Sequence, residues 1–512
     1  MKRDGALESL WQDTVKEFSA QSTINDTKRC DVLIVGGGIT GVATGIQLQK
    51  QGKQCVIVEA HTLCFGTTGG TTAHLNTFFD TTYPEIESKF GESNAQLACK
   101  AAKAALALVK QNVDDYSIDC QLQSKEGYLY SQDEKQTEEL DEIFSASVRA
   151  GAEISYSATI PVDIPFEKAV VYHNQAQFHP TRYVMSLAKE FTKMGGQILE
   201  NCRLTNYSGD EQGLEIETEK GIIHADFLVF ATHIPPGINL LHFRCAPYRS
   251  YAVAAQLNDN NYPDGLAYDM YDPYHYYRTQ EVDGIKYLIA GGEDHKTAHE
   301  ENTDACFNRL EAYLNKYFNI KEFTYRWSSQ YFEPADGLAY IGKLPGHSDN
   351  ILVATGYGGN GMTYSHIAAL TLSDLILKGE SEYASLYDPG RIKIAAGFTN
   401  FVKENVDVIE EFIGKRLGKE KLEELADLAP GEAKVVKYEG SSIALYKDDH
   451  GVLHAINPVC THAKCIVGWN SAEKSWDCPC HGARYTPEGE VLTGPASKGL
   501  ESIKLEEITA DH

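Results

Sequence analysis

The chain is short of positive charge, with 46 Lys and Arg against 72 Asp and Glu and a formal balance of −26. So acidic a surface has little with which to neutralise a phosphate backbone, so nucleic acid is excluded as the expected partner. Long apolar runs are missing too: nothing approaches ~18 consecutive apolar residues, and no integral membrane segment is expected. Met1 to Ala20 carries Asp4, Glu8, Asp13 and Glu17 among its apolar positions, which leaves no run of signal-peptide length. A cytoplasmic location is therefore expected. Disorder is excluded by a hydrophobic fraction of 42% against 23% charged, and 512 residues exceed what a single core holds. Of 12 cysteines, eight are scattered from Cys30 to Cys306 and four crowd between Cys460 and Cys480. The scatter reads as reduced, buried thiols and the cluster as a ligand site.

The first motif follows a leader of residues 1–29. A buried-strand run, Cys30 to Val35, meets Gly36-Gly37-Gly38-Ile39-Thr40-Gly41. Helical composition follows from Val42 to Gln51, then a second strand over residues 54–58 ends at Glu59 and Ala60. This is a βαβ unit with the dinucleotide fingerprint. Gly36 serves the tight turn, Gly38 lets the backbone approach a pyrophosphate at the helix N-terminus, and Gly41 permits close helix-to-strand packing. Glu59 is placed to accept from ribose hydroxyls. Both FAD and NAD use such a unit. The small-residue loop that includes Gly66, Thr67, Thr68, Thr72 and His74 suits a large planar ring lying against the backbone, which points to FAD. A second hydrophobic strand ends at Ala231 and Thr232. Beyond it, strand 351–355 runs into Gly356, Gly359, Asn360, Gly361 and Met362 at the start of another helix, whose N-terminus would face an anion or a flavin carbonyl.

On these residues the chain resembles the D-amino-acid oxidase (glycine oxidase, sarcosine oxidase) family over roughly residues 30–395. The resemblance implies an α/β, Rossmann-like FAD-binding domain from segments of about 30–85, 166–245 and 331–395. It also implies an interleaved α+β substrate domain from about 86–165 and 246–330. The implied chemistry is hydride removal to FAD from a carbon bearing an amine or hydroxyl, often on a carboxylate-bearing substrate. Arg249, Tyr251, Tyr276 and Arg278 lie on strand-like stretches of the substrate region and are candidates for holding such a group. Some relatives attach the flavin covalently. His74 is the nearest candidate here, although an ordinary flavin-adjacent histidine is the preferred reading. His179 precedes Pro180, which suits a helix N1 position, and is expected to be a cap or packing residue rather than a catalyst.

From Phe398 to Leu417 apolar residues recur every three or four positions, which predicts an amphipathic helix within a linker over 396–429. Pro430-Gly431 opens a small all-β domain, residues 430–512, with strands over 433–438 and 442–446. Within it stand Cys460-Thr461-His462 and Cys478-Pro479-Cys480-His481. Two Cys and two His could hold zinc, but one Cys and one His in each of two loops suits a 2Fe-2S cluster with two thiolates on one iron and two imidazoles on the other. Together with Gly468-Trp469 and Gly494-Pro495, the segment is similar to a Rieske domain. The resemblance implies Cys460, His462, Cys478 and His481 as ligands. It also implies a disulfide between Cys465 and Cys480, as in the cytochrome-complex type. High-potential members carry a serine where this chain has Ala483, whereas the tyrosine two positions later is kept as Tyr485. A lower potential is expected for want of that donor.

FAD and a 2Fe-2S cluster on one chain imply a converter: an enzyme, dehydrogenase rather than oxidase, that oxidises a small amine, amino acid or hydroxy acid and sends electrons through the cluster to an external acceptor. The alternative is an electron-transfer protein or reductase running electrons from an external carrier to FAD. Rieske oxygenation needs a mononuclear iron on two histidines and a carboxylate, and the spacing of Asp294-His295 and His299 does not match it.

Overall fold

The structure is a computed structural model that describes residues 3–15, 29–391, 428–438 and 441–503. The amphipathic helix expected from Phe398 to Leu417 falls outside the described residues. Val32 to Val35 and Val56 to Val58 are apolar on both faces, as a strand buried on both sides must be: one face packs on helices such as Ile39–Lys50, the other on strand residues such as Leu214, Ile216 and Phe332. Both runs sit at the centre of an eight-stranded sheet. Six of its strands run in the order Tyr340–Lys343, Ile351–Thr355, Gly221–Phe230, Arg29–Val35, Cys55–Val58, Gln197–Leu199, and the other two, Gly213–Thr218 and Leu204–Asp210, branch from Gly221–Phe230. The pairs around Arg29–Val35 are parallel, as βαβ crossovers require. Helix Ile39–Lys50 packs between helices Pro180–Lys193 and Gly361–Lys378.

A nine-stranded sheet stands against this layer, running from Ile320–Pro334 through Cys245–Leu257, Ile285–Lys296 and Tyr276–Val282 to Lys168–Gln177 and His74–Leu75. Strand Lys168–Gln177, expected from the sequence in a nucleotide-binding segment, pairs instead with Gln123–Ser131 in this second sheet. The C-terminal unit holds a three-stranded and a four-stranded antiparallel sheet, the former from Ala433–Tyr438, Ser441–Lys447 and Leu453–Ile456.

The expected leader is more than a leader. Helix Leu10–Asp13 packs on the same face of the nine-stranded sheet as the cavity residue Ala252, with Leu10 and Trp11 buried against Ala252, Ile289 and Trp327. Its sequence is too short and too polar for periodicity to reveal that burial. Among the described residues no helix is long and apolar enough to cross a membrane.

Candidate functional site

One cavity of about 340 Å3 lies between the two large sheets. Its floor is the first βαβ turn. Gly36 adopts φ +115°, and a Cβ there would meet Ala231 O at 2.3 Å, so only glycine fits. Gly38 caps helix Ile39–Lys50 with no side-chain hydrogen bond of its own; Ile39 N donates to Thr68 Oγ1 at 3.0 Å, and the helix N-terminus lines the cavity through Gly38, Ile39 and Thr40. A Cβ on Gly41 would fall 2.0 Å from Gly36 O. Gly41 therefore sets the helix against the strand and lies behind the cavity wall. Glu59 accepts from Gly37 N at 2.7 Å and His61 N at 2.9 Å, and it lines the cavity beside Ala60.

Ile39, Thr40, Gly66, Thr67, Thr68, Thr72 and His74 join the same wall, as do Ala231, Thr232, Gly359, Asn360, Gly361 and Met362. Gly356 does not. At φ +70° it turns the chain against Cys245 and Pro334. A helix N-terminus at the cavity, a glycine cradle and a carboxylate at the second strand end fit a dinucleotide such as FAD. His74 Nδ1 lies 2.5 Å from Tyr268 Oη, and burial holds the ring well below its ordinary pKa.

The four substrate-site candidates part company. Tyr276 lines the cavity, but Arg249, Tyr251 and Arg278 do not. Successive strand residues point to opposite faces. On Cys245–Leu257 it is Ser250 and Ala252 that reach the cavity, so Arg249 and Tyr251 face away. Arg249 bonds Ser328 and Asp477, and Tyr251 pairs with His295 at 2.9 Å. Arg278 is fully buried behind the Thr72–Ala73 loop and donates to both of its carbonyls at 2.8 and 2.7 Å. These corrections leave the substrate end to residues that sequence reasoning missed: Asn76, Asp80, Tyr268, Tyr274, Asp294 and Tyr331. They come from four separated segments, and only Asp294 drew notice in the sequence, in a cluster whose spacing does not match a mononuclear iron site. His179 is buried and caps helix Pro180–Lys193, as expected.

The small β domain closes the other side of the cavity with Leu492, Thr493, Gly494, Pro495, Ala496 and Ser497. His61 Nε2 meets Leu492 O at 3.0 Å. A second link runs from Thr67 Oγ1 to Gln330 O at 3.1 Å, then from Gln330 Nε2 to Gly482 O at 2.8 Å. Gly482 directly follows His481.

The four expected metal ligands converge. The rings of His462 and His481 lie 5.0 Å apart. His462 Nε2 contacts Gly237 O at 2.9 Å, and His481 Nδ1 is buried without a partner. An orphaned imidazole nitrogen at that position fits a metal-bound role. The Cys478 thiol, hydrogen-bonding to Cys460, lowers the latter to about 6 despite burial, with help from Tyr485. Tyr485 Oη stands 3.1 Å from Cys460 Sγ. Cys465 and Cys480 form a disulfide, Cα atoms 6.5 Å apart, whose sulfurs lie within 4.8 Å of Cys478 Sγ. Two soft sulfur donors and two imidazoles in two pinned loops fit a Rieske cluster. The eight other cysteines are buried free thiols.

His242, from the oxidoreductase body, stands edge-on to both imidazoles at 4.7 and 5.3 Å. Arg3, Arg249 and Arg484 interlock with Asp4, Glu473 and Asp477 between the bodies. Three buried cations thus meet three buried anions.

Comparison with known proteins agrees with this geometry. Residues 31–375 match the DAO family of FAD dependent oxidoreductases, and residues 419–504 match the Rieske [2Fe-2S] domain. The chain is 34% identical over 503 residues, 98% of each chain, to YhfW of Bacillus subtilis (strain 168), a protein assigned by name to the Rieske 2Fe-2S iron-sulfur proteins. It is 22% identical over 394 residues, 73% of this chain and 89% of the other, to gamma-glutamylputrescine oxidoreductase of Escherichia coli (strain K12). In fold it resembles glycine oxidase from Geobacillus kaustophilus with a TM-score of 0.60 and 19% identity, over 72% of this chain and 100% of that one. The chain belongs to the DAO family of FAD-dependent oxidoreductases and carries a Rieske domain that binds a 2Fe-2S cluster.

Proposed function

We propose that this protein is a dehydrogenase that oxidises a small molecule at a carbon bearing an amine or hydroxyl and sends the electrons through its cluster to an external one-electron acceptor. When bound, FAD supplies a two-electron acceptor and the cluster a one-electron carrier. One observation carries the reading: the Rieske domain walls the nucleotide cavity through Leu492 to Ser497, while His462 touches Gly237, five residues beyond the cavity residue Thr232.

The chain's own residues divide the work. Gly36, Gly38 and Glu59 hold the dinucleotide, and Arg278 fixes the Thr72–Ala73 backbone from behind. Cys460, His462, Cys478 and His481 are assigned as iron ligands. His242 keeps water from the imidazole edges that face the oxidoreductase body. With −26 charges on the chain, a small diffusible acceptor or a partner with a basic docking face suits the surface better than an acidic carrier.

The test is anaerobic photoreduction of the flavin followed by low-temperature EPR. The reading requires the cluster signal to rise as flavin absorbance falls, faster than encounter between molecules and independent of protein concentration. A cluster that stays oxidised beside a fully reduced flavin would overturn it.

A further inference from the structure

The substrate end of the cavity is acidic, although family resemblance suggests a carboxylate-binding arginine. Asp80, from the loop after strand His74–Leu75, and Asp294, on strand Ile285–Lys296, line the cavity, and Glu333, on strand Ile320–Pro334, stands beside Asp80 just outside the wall. Glu333 Oε2 and Asp80 Oδ2 both lie within 3.4 Å of the Cβ position of Gly358. Tyr331 donates to Asp294 Oδ2 at 3.0 Å and Gly359 N to Asp80 Oδ2 at 2.7 Å. Among the described residues none of the three carboxyls has a Lys or Arg within ion-pair distance. The one arginine on the cavity wall, Arg203, stands at the opposite end with its guanidinium on His61 and Val491.

Three carboxyls without a cation are held away from their ordinary behaviour. Burial, with Asp80 as a like charge, pushes Asp294 up to about 7. Burial, with Asp80 and Asp294 as like charges, pushes Glu333 up to about 8. A positive ligand would relieve both.

A separate observation points to a ligand that donates hydrogen bonds. Asn76 is only 5% exposed and lines the same cavity. Its amide nitrogen donates to Tyr268 Oη at 2.7 Å, but its Oδ1 is buried without a partner. A buried acceptor left unpaired is destabilising, and a hydrogen-bond donor in the cavity would satisfy it. A carboxylate brings the wrong charge to Asp80 and Asp294, even where a hydroxyl or ammonium elsewhere on the same molecule could satisfy Asn76.

We infer that the substrate is a cationic amine with no carboxylate near the reacting carbon, its ammonium seated at the two cavity carboxyls, Asp80 and Asp294, with Asn76 Oδ1 as acceptor and Glu333 adding negative charge from just outside the wall. The inference rests on the proposed oxidation of a substrate in this cavity and narrows its class. Asp294 takes the ammonium proton on its carboxylate, leaving the neutral amine that hydride removal requires.

The experiment uses the oxidised holoenzyme and follows perturbation of the flavin spectrum by n-butylamine and 1,4-diaminobutane, against butyrate, L-lactate and L-proline. The amines are expected to bind at least tenfold more tightly than the three carboxylates. Asp294→Asn should weaken amine binding tenfold or more with FAD content and cluster EPR unchanged, and Asp294→Glu should retain it. Comparable binding of the carboxylates, or undiminished amine binding in a folded, FAD-loaded Asp294→Asn protein, would overturn the inference. Should Asp294→Asn fail to retain FAD, the ranking of amines over carboxylates by the unmodified protein decides alone. Photoreduction in the absence of any substrate tests the electron route separately, so failure of one reading is distinguishable from failure of the other.

Discussion

Arg484 of the Rieske domain donates to the carboxylate of Asp4, 480 residues earlier in the chain, at 2.9 Å, and both side chains are buried. On its other edge Arg484 meets Asp477 at 3.0 Å. The first residues of the chain are thus a clasp between its two bodies. Breaking one partner of a buried ion pair typically costs about 3–5 kcal/mol, because the other is left charged and dry. Arg484→Ala and Asp477→Ala are expected to lower the urea midpoint accordingly and to slow electron transfer from flavin to cluster. Stopped-flow reduction monitored at the cluster would check both.

The same network sets an acid limit. Burial alone would raise the carboxyls of Glu473 and Asp477, but Arg3 beside the first and Arg484 beside the second outweigh it and hold both at about 2. Because these folded values lie below the ordinary carboxylate range near 4, the stabilisation is complete above pH ~4 and is lost as pH falls from ~4 toward ~2. Thermal melts at stepped pH should show the interface failing in that window, and a variant lacking Arg3 failing at higher pH.

At the cluster, Tyr485 donates toward Cys460 Sγ while Ala483, buried and without a hydroxyl, donates nothing. A hydrogen bond to the sulfur favours the reduced, more negative state. If it is worth ~1.4 kcal/mol, the potential moves by about 59 mV for one electron. Tyr485→Phe should lower the midpoint by about that amount and Ala483→Ser should raise it. Redox titration followed by EPR decides, and shifts of opposite sign would contradict the assigned hydrogen bonding.

The disulfide of Cys465 with Cys480 closes a separation of 15 residues, for which loop entropy gives about 3 kcal/mol. Cys465→Ser is expected to lose most of that and to release iron to a chelator severalfold faster. Colorimetric iron release would measure it, with the flavin as an internal control for folding of the rest.

Gly41→Ala places a methyl 2.0 Å from Gly36 O. The helix must move off the strand, and the nucleotide cradle with it. The protein should purify with the cluster intact and FAD at a small fraction of stoichiometric, read from the ratio of flavin to iron.

Local signals were readable without a structure. The fingerprint from Gly36 to Gly41, the terminal acid Glu59 and the paired Cys and His loops each depend on neighbours within a few residues, so spacing alone carries them. Arg249 and Tyr251 were legible as strand residues, but alternation does not say which face meets the cavity, and their neighbours Ser250 and Ala252 occupy it. Asp80, Asp294 and Glu333 belong to three segments whose meeting depends on sheet order, which no local pattern encodes. Trp11 was hidden for another reason: a helix of four residues has no period to detect.

Leu492 to Ser497 belong to the cluster-bearing domain, yet they are part of the wall around the nucleotide. An oxidoreductase body cut away from its partner would be a vessel with one side missing, its cofactor facing solvent and oxygen. Exchange of either half between relatives would have to carry this six-residue wall along with its matching rim at His61 and Arg203. In this chain neither half presents a finished surface to the flavin without the other.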